Sequence, residues 1–394
     1  MNEIPWHELG PEVNSIETTN ELCRRQEKRI RQLIYQWKYM PSDMVLEPVI
    51  ICPLVIHDTG FDILPQLKNA EGYTGMADTI IVDGASHFDP VIESEEDIEK
   101  IKMPIVEVDW EETEKNYQLF QDVFAGILPV EKRGIYDFEL LPLERKGANG
   151  WEIYGSWFGF WFAPWDDLVQ WLGVEQTLYG LTTRPTFIHK VMGRLVDAWL
   201  HRLDQYEKLN LLALNNGPNR VGSGGYGYTN QLPQLDFDQN HIRTIDLWGS
   251  CAAQIFAAVS PQMHEEFALQ HEKRWLERFG LTYYGCCEPL HKKISILKQI
   301  PNLRKISMSP WADLDEAVQN IGNQYVLSIK PSPAIFAVDV WDLDEGRRQL
   351  LSSLEKTKGC SVEIIMKDIS TCRNQPHRLW EWAKMAQEVT EDFA

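Results

Sequence analysis

Apolar and polar positions alternate in two different ways along the chain. Over residues 19–37, "NELCRRQEKRIRQLIYQW" places apolar residues at helical spacing among many charges and predicts an amphipathic helix. Residues 45–56, "VLEPVIICPLVI", read as a buried strand; its two prolines cannot donate to a ladder and hold it near an edge or start. Shorter apolar runs follow at 79–84, "TIIVDG", and 104–110, "PIVEVDW". Between them "ESEEDIEKIKMP" is acidic and predicts a solvated helix and loop, and a further helix is expected over 112–124.

From residue 151 the alternation becomes regular. The aromatic run "WEIYGSWFGFWFAPW" leads into a short helix, "WDDLVQWLG", closed by Gly173. Residues 184–210 form a long amphipathic pattern with Pro185 at its start, where a missing N–H is harmless. "LNLLALNNG" reads as a strand ending in polar residues, followed by the glycine-rich loop "VGSGGYGY". Residues 260–280 predict a helix capped by Ser260, with Pro261 first and Gly280 as stop. Strand and helix patterns then alternate to the end: 281–288, 293–301, 304–311, 313–322, 325–333, 342–359, 361–371 and 375–393.

Short strands alternating with helices predict a parallel sheet covered by helices. A closed (β/α)8 barrel needs about 250 residues. The fold expected is therefore α/β, a (β/α)8 TIM barrel over 46–394 behind an N-terminal helical and irregular extension, 1–45. No internal repeat or low-complexity segment interrupts it.

Composition narrows the function. The 394 residues carry a formal net charge of −20, which opposes binding to nucleic acid or an anionic membrane surface. No apolar run reaches the length of a membrane span, and the first residues lack the basic start and apolar core of a signal peptide. Seven cysteines without framework spacing fit a reducing compartment, so a cytoplasmic location is expected. Fifteen tryptophans are many, and the cluster at 151–165 is either a bulky core strand or a flat wall for an aromatic ligand. On the second reading Trp157 and Trp161 touch substrate.

In a barrel of this kind the reactive groups stand at the carboxyl ends of the strands. The last four predicted strands end in "YGCCEPLH", "SMSPW", "SIKPSP" and "MKDISTC", with polar or reactive residues after apolar bodies. They offer Cys286, Cys287, Glu288, His291, Ser309, Trp311, Lys330, Lys367, Asp368 and Cys372. Polar strand ends that simply meet water are the plainer reading. Lys330 could neutralise a carboxylate or polarise a substrate oxygen, or be a surface lysine before a turn. Asn215 and Asn216 could bind a ligand or serve a turn. The glycine-rich loop, with Tyr226, reads as a lid, a ligand contact or plain flexible chain; it has neither the lysine–serine pair nor the frame of a phosphate loop.

Adjacent cysteines invite a metal reading. Cysteine, histidine and carboxylate are zinc ligands, and a catalytic zinc keeps one position open. Alternation along a strand puts Cys286 and Glu288 on one face; if the strand has ended, Cys287 with Glu288 or His291 is equally compatible. Asp368 or Cys372 would complete the set. The alternatives are a metal-free functional thiol or carboxylate, and two small packing residues.

Residues 162–200, 282–322 and 363–371 ("EIIMKDIST") resemble the uroporphyrinogen decarboxylase superfamily over most of the chain beyond Trp151. The resemblance implies a single (β/α)8 barrel with N-terminal decoration. "CRRQEKRIRQ" does not match the arginine-rich motif with which the decarboxylases grip porphyrinogen carboxylates. The other branch holds corrinoid-dependent methyltransferases, whose zinc is held by His-x-Cys on a late strand and a cysteine near the C-terminus. Here Tyr284-Gly285-Cys286 stands where His-x-Cys would be, and Asp368 or Cys372 stands near the last ligand. The histidine is missing.

This branch implies an O-demethylase-like methyltransferase that passes a methyl group from a small methylated donor, such as a methoxy-aromatic, to cobalt. The cobalamin would come on a separate corrinoid protein, since the chain lacks an Asp-x-His-x-x-Gly motif. Glu288, Asp368 and Lys330 would be catalytic; Trp157, Trp161, Asn215, Tyr226 and Trp311 would contact substrate; Cys286, Cys287, Glu288, His291 and Cys372 are the candidate zinc ligands. A homodimer is compatible with this scheme. The competing expectations are a metal-free lyase acting on a cyclic carboxylic acid through Asp368, Lys330 or Tyr226, and a non-enzymatic barrel relative.

Overall fold

The computed structural model describes residues 1, 3–69, 74–76, 86–136, 144–146, 152–154 and 161–393. The expected strand at 79–84 and Trp157 lie outside them, as does the side chain of Trp161. In chain order the helices are α1 (Pro11–Asn14), α2 (Glu21–Tyr39), α3 (Trp110–Phe124), α4 (Pro164–Leu172), α5 (Val174–Thr183), α6 (Pro185–Lys208), α7 (Pro261–His264), α8 (Gln270–Leu276), α9 (Ile294–Leu297), α10 (Leu314–Ile321), α11 (Leu343–Lys356) and α12 (His377–Phe393). The strands are β1 (Ile50–Pro53), β2 (Ile56–Asp58), β3 (Gln66–Asn69), β4 (Thr74–Met76), β5 (Ser86–Asp89), β6 (Val106–Val108), β7 (Val130–Arg133), β8 (Glu144–Lys146), β9 (Glu152–Tyr154), β10 (Trp161–Phe162), β11 (Trp248–Cys251), β12 (Leu281–Tyr284), β13 (Leu303–Met308), β14 (Val326–Ile329) and β15 (Ser361–Ile364).

The chain divides into two compact units, a larger one of residues 49–288 with 293–304 and a terminal one of residues 1–48, 289–292 and 305–394. In the larger unit β10, β11 and β12 pair in parallel, with Phe162 opposite Cys251 and Cys251 opposite Tyr284. β1 pairs in parallel with β7, and smaller, mainly antiparallel ladders join β2, β6, β8 and β9, and β3, β4 and β5. In the terminal unit β13, β14 and β15 are parallel. The protein is mixed α/β, and among the described residues its sheets are small and unclosed. Among those residues no helix is long and apolar enough to cross a membrane.

Local signals set most helix ends. Asn20 caps α2 by accepting from Cys23 N at 3.1 Å, and Asp109 caps α3 by accepting from Glu112 N at 2.8 Å. Gly173, at φ +83°, ends α4 in a conformation that disfavours any side chain. Two predicted strands come out differently. The run 45–56 divides into β1 and β2: Leu54 N still donates to Arg133 O at the end of β7, but Val55 N turns to Thr113 Oγ1 and β2 then pairs with other strands. The run 209–217 pairs only at Leu212, which bridges to Ile135, while Asn210 adopts φ +55°.

α6 is the spine of the larger unit. Ile188, Val191, Met192, Leu195, Val196, Trp199 and Leu203 recur every three or four residues and are all buried. One turn further Arg202 and Tyr206 converge on Asp58 at the end of β2. Arg202 Nε stands 2.9 Å from Asp58 Oδ2, the Tyr206 hydroxyl donates to the same oxygen at 3.0 Å, and Gly60 N donates to Oδ1 at 2.7 Å. The guanidinium also lies over the rings of Phe61 and Trp199. In the terminal unit the N-terminal segment supplies Ile4, Leu9, Val13, Tyr35 and Met40 to a core completed by Leu350, Leu379, Trp382 and Val389.

A buried pair loses most when one partner is removed, since the other is left desolvated and alone. Arg202→Leu should therefore cost roughly 3–5 kcal/mol of stability in chemical denaturation. A loss below about 1 kcal/mol, the level of an exposed pair, would contradict this account of the α6–β2 junction.

Candidate active site

Parallel pairing brings the carboxyl ends of β10, β11 and β12 to one level, and the residues that follow each strand meet there. After β12, Gly285 takes φ +101° and its N–H donates to Cys251 O at 2.8 Å, turning the chain across the end of β11. That turn brings Glu288 back over both loops. Its Oε2 accepts from Cys286 N at 2.9 Å and its Oε1 from Ala253 N at 3.2 Å, so one fully buried carboxyl group ties the loop after β12 to the loop after β11. The Cys286 and Cys287 sulfurs stand 3.5 Å apart. The glycine-rich loop is fixed against the same strands. Ser223 Oγ donates to Gly285 O at 2.9 Å, and at Gly222 a Cβ would come within 2.8 Å of Ser250 Cβ.

The loop after β10 contributes Asp166, in the first turn of α4. Gln254, just beyond β11, donates from Nε2 to Asp166 Oδ2 at 2.8 Å. Burial pushes the Asp166 carboxyl up to about 7; the Gln254 hydrogen bond opposes this, and the acidic Asp167, Cys286 and Glu288 nearby add to it. Its side chain remains half-buried rather than sealed. A carboxylic acid that holds its proton near neutrality, within reach of solvent at the end of a parallel sheet, has the properties of a general acid.

Beneath these loops lies a connected set of buried polar side chains. Lys293 Nζ stands 3.0 Å from His264 Nδ1 and donates to Phe256 O at 2.5 Å. His264 Nε2 is 2.6 Å from the Tyr284 hydroxyl, which donates to Glu272 Oε2 at 2.7 Å. Burial raises the Glu272 carboxyl to about 8 against the Tyr284 hydrogen bond, and it lowers the Lys293 ammonium to about 8 against the attraction of Glu288 and Glu272. Burial, with Lys293 beside it, keeps His264 well below the ordinary histidine range, so its ring is neutral. Burial and the Glu272 charge raise the Cys251 thiol well above its usual range.

The other residues picked out from the sequence have definite places. Asn215 uses both ends of its amide on Trp248, donating to its O at 3.0 Å and accepting from its N at 2.9 Å. It thus serves the amino end of β11, away from Cys251. Tyr226 is half-buried in a bridge to Arg220. In the terminal unit Lys330, at the end of β14, is buried and donates to Ser307 Oγ at 2.5 Å. Trp311 is 77% exposed after β13. His291 lies 3.8 Å from Glu316. Asp368 takes φ +57°, its N–H donates to Glu3 Oε2 at 2.9 Å and Lys367 lies 3.0 Å from its carboxyl. Burial and Glu3 raise Asp368 above the usual carboxylate range. The Cys372 thiol donates to Glu8 Oε2 at 3.2 Å, and burial and Glu8 push it up to about 11.

A zinc ion requires three or four such ligands converging on one point. Among the described residues no group of three or more His, Cys, Asp and Glu side chains is gathered in that way. Cys286 and Cys287 are close, but Glu288 beside them is engaged by two backbone N–H groups and Cys372 by Glu8. The five named ligands do not form such a group.

Sequence reasoning passed over Asp166, Glu272, Tyr284, His264 and Lys293. Two signals were present. Tyr284, Glu288 and Lys293 all fall within one stretch, "YYGCCEPLHKK". Glu272 interrupts the apolar stripe of its helix, three residues from Leu269 and Trp275 and four from Leu276, all buried. Asp166 gave no local signal, because its environment is made by Gln254.

No family model and no curated protein matches the chain. Among solved structures, a methyltransferase from Methanosarcina mazei matches with a TM-score of 0.37 and 8% identity, over 70% of this chain and 63% of that one. So slight a likeness, spanning less than two thirds of the other chain, carries no argument about fold or chemistry.

The Glu272 environment has a measurable signature. Its folded pKa of about 8 lies above the ordinary 4.5, so between those values the unfolded chain has released a proton that the folded chain retains. Stability contributed by this group is present below pH 4.5 and falls as pH rises towards 8. Thermal unfolding of Glu272→Gln should therefore gain on the wild type as pH is raised from 5 to 8.5. A constant difference over that range would contradict the raised pKa.

Proposed function

We propose that the chain is an enzyme that moves a methyl group from a small methylated substrate, methoxylated aromatics foremost, to the cobalt of a separate corrinoid protein. The reaction centre lies at the carboxyl ends of β10, β11 and β12, and Asp166 is its proton donor. The observation that carries this reading is the half-buried Asp166 carboxyl, gripped by Gln254 and still protonated near neutrality.

A methyl group bound to oxygen is hard to displace because the departing oxygen keeps the electron pair of the broken bond. A proton delivered to that oxygen as the bond breaks stabilises it, the task a Lewis-acid metal performs elsewhere. A docked corrinoid partner would supply the electron pair that takes up the methyl group. Asp166 gives its proton to the leaving oxygen, and Gln254 holds the resulting carboxylate in place. Support for methyl transfer over other acid-catalysed reactions comes from the resemblance of 162–200, 282–322 and 363–371 to the corrinoid-dependent branch. The chain's acidic balance, without an arginine-rich grip, disfavours a polycarboxylate substrate. The (β/α)8 architecture that the resemblance implies is the frame we propose for these strand ends.

Turnover of methoxylated aromatics with free cob(I)alamin, followed by the cobalt absorption, tests this directly. The protonated acid is present below its pKa, so kcat should fall as pH rises through about 7. Asp166→Asn should lower kcat by roughly 10²–10⁴, the usual value of a general acid, with the melting temperature nearly unchanged. Full activity in the folded variant would overturn the assignment.

A further inference from the structure

The four side chains beneath the strand ends have a direction. A neutral imidazole has one N–H and one acceptor nitrogen. Lys293 Nζ can only donate when it is an ammonium, so at 3.0 Å it makes His264 Nδ1 the acceptor and places the ring proton on Nε2. That proton points at the Tyr284 oxygen, 2.6 Å away, and the Tyr284 proton points at Glu272 Oε2, 2.7 Å away. Three hydrogen bonds therefore run in one sense from a buried base to a buried acid. All four residues are buried, and the groups facing the chain are Glu288 near Lys293 and Cys251 near Glu272.

We propose that Lys293, His264, Tyr284 and Glu272 form a reversible proton wire, which shifts one positive charge towards or away from Glu288 under the candidate active site. In the transfer Lys293 gives a proton to His264 Nδ1, His264 gives its Nε2 proton to the Tyr284 oxygen, and Tyr284 gives its own to Glu272. One N–H or O–H bond breaks for each that forms. The ammonium becomes an amine and the carboxylate a carboxylic acid, while the total charge stays constant. Afterwards the three hydrogen bonds run the opposite way and the His264 proton sits on Nδ1. Burial disfavours the charge at both ends, so the transfer that leaves an amine and a carboxylic acid relieves both of them. A buried pair that kept full opposite charges would be far costlier than one that can neutralise itself internally.

The wire rests on the proposed function only for its use: it sets the charge beside Glu288, on the loop that carries Cys286 and Cys287. Its existence can be tested without substrate. In the full chain labelled with ¹⁵N-histidine, protonated and bare ring nitrogens of a neutral imidazole resonate far apart. At pH 8 the wild type should show both His264 tautomers, as two sets of signals or as averaged intermediate positions. Glu272→Gln cannot take the proton, and Tyr284→Phe breaks the path. Each should lock His264 with its proton on Nε2, and either variant suffices if the other does not fold. A wild-type His264 held in one tautomer, with both folded variants unchanged from it, would overturn the proposal. Failure of methyl transfer would leave this readout untouched.

Discussion

The Glu288 carboxyl group sits where two strand ends would otherwise part. A backbone N–H buried without a partner is costly, and the loops after β11 and β12 each present one, at Ala253 and Cys286, on the same side. One side chain satisfies both. Because it does, Gly285 can turn over Cys251, the two cysteines are held together, and Gln254 is set where it meets Asp166. The candidate site is thus a by-product of backbone hydrogen-bond satisfaction at the end of a parallel sheet. Any chemistry proposed for it begins with a fixed frame rather than flexible loops.

Burial in that frame decides the charge states. Burial opposes ionisation of Asp166 and Glu272 and of the Lys293 ammonium alike, drawing two acids up and a base down towards the same range. Groups so matched exchange protons readily with one another and with a bound molecule. Arg202 and Asp58 show the other outcome of burial: direct pairing, a tyrosine hydroxyl, a backbone N–H and two aromatic rings satisfy the ions in place, and the pair serves the fold.

The sequence was most legible where structure is local. The capping Ser260, Pro185 at the start of α6, Gly173 at the end of α4 and the strand–helix rhythm beyond residue 260 all depend on neighbours within a turn. The stretch after β12 stood out in the sequence too, although as a set of metal ligands. What escaped was everything made by distant partners. Asp166 owes its proton affinity to burial and to a residue 88 positions away. Asn215 looked like a ligand group, yet its amide imitates a neighbouring strand for Trp248. Cys372 looked like a late metal ligand, but its thiol is engaged by Glu8, 364 positions earlier in the chain.

The central claim is that the strand ends hold a carboxylic acid protonated near neutrality. A ¹³C titration of aspartate carboxyl groups in the full chain, with Asp166 assigned by its loss in Asp166→Asn, reads this directly. The account predicts a midpoint for Asp166 near 7. A midpoint near 4, where exposed aspartates titrate, would contradict it and remove the proton donor from the site.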